Sequence, residues 1–156
     1  EAFMLTPALF AFLHHVAAFT VAAVLVAELA LFAPNLSDRE VKRLARIDLL
    51  YGIAAAVVLA VGFARVMVFE KGTGYYFANG WFLTKLALFI AVGVLSIYPT
   101  VLFIRWSQRV KRGEPPAMLP NQVRAVRICL TLELACIAGI LLAAALMARG
   151  IGYFGG

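Results

Sequence analysis

Apolar residues in this chain fall into four long blocks, and the polar residues gather between them. The first block, Ala8 to Phe32, reads ALFAFLHHVAAFTVAAVLVAELALF, longer than the about 20 residues that cross a bilayer. A helix is predicted over about 7–32, opened by Thr6-Pro7, a cap residue followed by proline at the first helical position. Ala33-Pro34-Asn35 closes it. Ser37-Asp38-Arg39-Glu40 is a capping box between a proline turn and an apolar run, so a second helix is predicted over 38–69. Asn79-Gly80 introduces a third, over 81–106. Pro99 removes a backbone hydrogen bond there and is expected to kink the helix near Leu95 and Ser96. A fourth is predicted over 121–148. Glu70-Lys71-Gly72-Thr73-Gly74-Tyr75-Tyr76 reads as a polar turn with interfacial tyrosines, and the tail from Gly150 to Gly156 as interfacial and loosely ordered. The expectation is one integral membrane domain over residues 1–156, an all-α four-helix transmembrane bundle with no internal repeat strong enough to use.

Composition agrees. Hydrophobic residues make up 64% of the 156 and charged residues 14%; a soluble domain is roughly half apolar and a quarter charged. The net charge of +6 is concentrated in two connections. Arg39, Lys42, Arg43 and Arg46 lie at the first, and Arg105, Arg109, Lys111, Arg112, Arg124 and Arg127 at the third. The opposite side carries mainly Arg65, Lys85, Lys71 and Arg149. By the positive-inside rule the first two groups face the cytoplasm and both termini lie on the outer, periplasmic side. Topology thus accounts for the charge, membrane lipids are the expected surroundings, and no aromatic-interleaved basic patch marks a nucleic-acid partner. The first block is too long, and its entry too uncharged, for a signal peptide; the chain starts at Glu1 without a methionine, which leaves room for a start residue or leader removed from it. Cys129 and Cys136 are two helical turns apart, too far for a disulfide.

Candidate chemistry lies in ionisable residues at membrane depth, which are costly there and mark sites or bundle interiors. His14 and His15, the only histidines, fall roughly 10–15 Å below the outer end of their helix, taking about 1.5 Å per residue. Arg65 and Lys85 fall about one turn below the outer ends of theirs, and Glu133 near the midplane. Each has a structural alternative. A histidine can hydrogen-bond across helices; Arg65 and Lys85 can snorkel. Glu133 is too deep to snorkel, which leaves a buried partner or a neutral carboxyl. Glu28, at the cytoplasmic end with Arg46 and Asp48, reads as structural, and Trp81 and Trp106 as interface anchors.

Adjacent helical residues point about 100° apart, so His14 and His15 cannot clamp one haem iron from both faces. One can serve as a single axial ligand, opposite a non-histidine group, water, or a histidine of another subunit. Four zinc ligands are not assembled, Ser96 has no base at its depth, and the glycines after Lys71 lack P-loop spacing.

Phe12-Leu13-His14-His15, Arg65, Glu70-Lys71-Gly72, Tyr98-Pro99-Thr100 and Met147-Ala148-Arg149-Gly150 together resemble an uncharacterised bacterial family of small predicted membrane proteins, over nearly the whole chain. More distantly, His14 and the run from Trp81 to Leu86 are similar to the HemJ-type protoporphyrinogen oxidases and the CopD-type copper-resistance membrane proteins. The HemJ pattern has a histidine beside its lysine, where this chain has Leu83 and Thr84. That resemblance implies a haem b- or porphyrin-binding redox protein of the bacterial inner membrane, an oxidoreductase if it is an enzyme. His14 would be the first iron ligand and His15 the alternative. Arg65 and Lys85 would meet the propionates, and Lys85 and Glu133 would be the catalytic candidates, Glu133 as proton relay. Two other readings stand beside it: a non-catalytic accessory subunit of a larger membrane complex, or a homo-oligomer, with polar residues that only lock the helices; and a small ion or solute transporter.

Overall fold

The computed structural model describes residues 2–69, 74 and 77–154. The chain is all-α. Helix α1 spans Ala2–Leu31 and α2 spans Asp38–Ala64. A π-helical turn, Arg65–Phe69, continues α2. Helix α3 spans Gly80–Lys111 and α4 Pro120–Ala148. All four helices are long and apolar enough to span a membrane. In hydrocarbon every backbone group has to be satisfied within its own segment, which the helix does. The expected turn around Glu70–Thr73 and Tyr75-Tyr76 lies outside the described residues.

Helix α1 packs mainly on α2 and α3 mainly on α4; α2 also meets α3, and α1 meets α4. The helices therefore run in ring order around a shared core. Leu25, Val41, Phe103, Val126 and Leu130 fill it, each at most 1% exposed. Outward-facing Leu9, Phe12, Phe19, Ile53, Ile90, Val94 and Leu142 are exposed, as a lipid-facing surface requires.

Local signals explain most boundaries. The Ser37 side chain accepts from the Glu40 amide, and Glu40 accepts from the Ser37 amide at 2.7 Å and its hydroxyl at 2.6 Å, closing the expected capping box. Ser37→Ala is expected to cost about 1 kcal/mol, read as a lower unfolding midpoint in mixed micelles. Helix α1 begins at Ala2, ahead of the Thr6-Pro7 start expected from the sequence; near a helix end the proline removes only one internal hydrogen bond. Helix α3 continues five residues beyond Trp106, because Gln108, Arg109 and Lys111 are adequate helix formers. It also runs through the buried Pro99.

Trp106 is not an interface anchor. It is 3% exposed and stacks on Phe32 with ring centroids 6.4 Å apart, while Phe103 touches both rings. The aromatic cluster closes the bundle beneath the end of α1. There Arg127 of α4 donates to the Phe32 carbonyl at 3.2 Å, a cation on the negative end of a helix. The 3–4 connection is tied by Glu114, which pairs with Arg109 at 3.2 Å and Arg112 at 3.0 Å.

The tail departs from the loose order expected of it. Tyr153 forms an antiparallel bridge with Asn79. The Gly80 amide donates to Gly152 and the Phe154 amide to Ala78, both at 3.0 Å. Asn79 is fully buried, caps α3 by accepting from the Trp81 and Phe82 amides, and donates to the Ile151 carbonyl. Gly152 permits this clasp, with φ of +82° and room for the Trp81 ring, whose Cδ1 would lie 2.6 Å from an added Cβ. Gly152→Ala is therefore expected to release the tail, and hydrogen exchange at the Gly80 and Phe154 amides should accelerate while the α1–α2 core stays protected.

Candidate functional site

Ionisable side chains inside this bundle form two groups at different depths. The first is built on His14. The half-buried ring lies on α2 at Gly62, where an added Cβ would come within 3.1 Å of Cε1 and 3.5 Å of Nδ1. The missing side chain at Gly62 lets the imidazole rest on helix backbone, and the Val58 backbone, one turn away, interacts with the ring. Nδ1 is buried and has no partner at hydrogen-bond geometry.

Arg65 and Lys85 are the cationic neighbours that act on His14, with His15 beside them. Arg65 opens the π-helical turn, a local widening that recurs at functional sites. Lys85, half-buried on α3, holds its ammonium 5.3 Å from the centre of the Phe82 ring. His14, Arg65 and Lys85 thus converge from three elements. His15 turns away. It is exposed, its Nδ1 donates to the Ala11 carbonyl at 2.6 Å, and its ring stands edge-on to His14 at 6.2 Å. One imidazole of the pair faces the helices and the other faces outward, as their 100° separation requires.

The second group lies deeper, toward the basic connections. Glu133 of α4 is 1% exposed and accepts from the Tyr51 hydroxyl of α2 at 2.8 Å. Asp48, one turn before Tyr51, accepts from the Thr100 hydroxyl of α3 at 2.8 Å. Glu28 of α1, also 1% exposed, is acted on by Asp48 and Glu133. All four helices contribute to this cluster. One carboxylate oxygen of Glu28 and one of Glu133 are buried without a hydrogen-bond partner.

Glu133 accordingly groups with Tyr51 and the other carboxylates rather than with His14, Arg65 and Lys85. The cause is axial. Tyr51 and Arg65 are fourteen residues apart on one stripe of α2, a separation of about 21 Å along the axis, and α4 places Glu133 against the Tyr51 end. Glu28 and Asp48 are also not a surface contact with Arg46, which is exposed; both acids face inward. The signal for this second group was present in the sequence: Asp48 and Tyr51 at i and i+3 share a helix face, and Glu28 interrupts an otherwise apolar block.

The arrangement sorts by charge. The His14 end gathers cations and a histidine, suited to an anionic ligand with a metal-binding face. The Glu133 end gathers oxygens. Cys129 and Cys136 are free and half-buried on α4. Among the described residues, no group of three or more His, Cys, Asp or Glu is placed to hold a bare metal ion.

No curated protein and no solved structure matches the chain. A family model described as "Predicted membrane protein (DUF2214)" matches residues 6–152, and the chain belongs to that family of membrane proteins.

Proposed function

We propose that the protein binds a haem b or related porphyrin in the bacterial inner membrane and acts in electron transfer or porphyrin oxidation, with its termini on the periplasmic side. The observation that carries this reading is the setting of His14. The ring rests on α2 at Gly62, and its buried Nδ1 meets no hydrogen-bond partner, so the imidazole keeps a ring nitrogen for an outside ligand. Arg65 and Lys85 supply positive charge beside the ring, complementary to a pair of propionates. The weak similarity of His14 and the Trp81–Leu86 run to the HemJ pattern supports the same reading.

The residues fit such a group through one axial nitrogen. His15, bonded to Ala11 and facing outward, does not supply a second. Bound haem would provide a one-electron couple. The chain's part is to hold the ring with His14, neutralise the carboxylates with Arg65 and Lys85, and exclude water with the apolar faces of α1 to α3.

Haemin titrated into protein purified from haem-depleted cells should bind saturably at one per chain. Arg65→Ala and Lys85→Ala should each weaken binding about tenfold, the size of a lost charge-assisted hydrogen bond. Binding that is unsaturable, or unchanged from the parent protein in both variants, would count against the site.

A further inference from the structure

The carboxylate cluster of the inner half takes no part in holding an anion, and its chemistry is of the opposite kind. Three carboxyl groups from three helices meet there, and the hydroxyls that touch them are already committed: Tyr51 to Glu133 and Thr100 to Asp48. Glu28, almost wholly buried, turns into this group with one oxygen that meets no donor, and Glu133 keeps a second such oxygen. The charged groups acting on Glu28 are Asp48 and Glu133, both acids. Arg127, the nearest basic side chain of α4 toward the end of α1, is engaged at the Phe32 carbonyl, and Arg46 is exposed. On α4 Glu133 also acts on the Cys129 thiol.

Several carboxylates in one low-dielectric pocket cannot all be ionised without a compensating positive charge. At membrane depth this holds more strongly, and such acids mark ion or proton paths. The two orphan oxygens are acceptors lacking a donor or a cation. A metal ion asks for a converging set of oxygens, and no group of three such ligands is placed for one among the described residues, which leaves a proton as the cation that answers these acids.

We propose that Glu28, Asp48 and Glu133 form a binding site for an exchangeable proton, with Tyr51 and Thr100 as positioning residues that orient two of the carboxyls. The site is independent of the haem reading. Exchange distinguishes it from a permanently protonated structural core: the cation has to leave and return.

The test is infrared spectroscopy of the whole protein in phosphatidylcholine vesicles, titrated with pH in sodium-free buffer and again with added sodium. A carboxylic-acid carbonyl absorption should be present in mild acid and vanish reversibly as pH rises. Added sodium should leave the titration where it is; a shift of the loss to lower pH would mean that a metal ion competes for these oxygens and would overturn the proton assignment. Glu28→Gln and Glu133→Gln should each remove one equivalent of the titrating absorption, and Asp48→Asn is the further variant should either fail to fold. An absorption that pH does not change, none at any pH, or a titration left intact in all three variants would overturn it.

Discussion

His14→Ala is expected to lower the haem content of the purified protein at least about tenfold, whereas His15→Ala should retain it. The asymmetry comes from helix geometry. The two rings leave α1 about 100° apart, and only His14 is set between α2, Arg65 and Lys85. Removing an iron ligand costs no less than removing the group that orients one, which is itself about tenfold to a hundredfold. His15 spends its Nδ1 on Ala11 and faces outward, so its loss costs one exposed hydrogen bond. Gly62 gives an independent handle on the same ring. An added Cβ at 3.1 Å from Cε1 would displace the imidazole without deleting it, so Gly62→Ala should lower haem retention less than His14→Ala. Equal haem in the His14→Ala and His15→Ala proteins, with both still folded, would exclude His14 as ligand.

Tyr51→Phe is expected to lower stability by about 1–3 kcal/mol, the range for leaving a buried acceptor unpaired. Its hydroxyl is the donor to Glu133 Oε2 across the middle of the bundle, and the other Glu133 oxygen already lacks a partner. Adding Glu133→Leu in the Tyr51→Phe background should recover most of the loss, because a polar pair replaced by apolar groups of similar size is often close to neutral. Reversible unfolding in mixed micelles, run as a double-mutant cycle, measures both quantities. An additive cycle, with the double variant less stable than Tyr51→Phe alone, would mean that the hydroxyl and the carboxylate do not depend on each other.

The four spans were legible because the sequence has two strong local signals, block hydrophobicity and the Ser37–Glu40 capping box, and neither depends on distant contacts. That His14, Arg65 and Lys85 share the outer half of the bundle was legible from depth, since counting residues from the helix ends puts all three on that side. The partner of Glu133 was not. Depth placed Glu133 in the wrong company, and only the packing of α4 against α2 shows that it meets Tyr51. Trp106 misled for a related reason: an aromatic near a basic connection suits either the interface or a core that extends to that level, and its stack on Phe32 decides for the core. The tail misled because glycines in a terminal run suggest slack, whereas Gly152 is there to let the chain pass over Trp81.

The most direct test of the central claim is a reduced-minus-oxidised visible spectrum of the detergent-purified protein from haem-replete cells. A sharp haem b difference spectrum, at close to one haem per chain, is the predicted result. A featureless spectrum would contradict it, and would leave the His14 cluster to a role in holding α1 against α2 and α3 within a larger membrane complex.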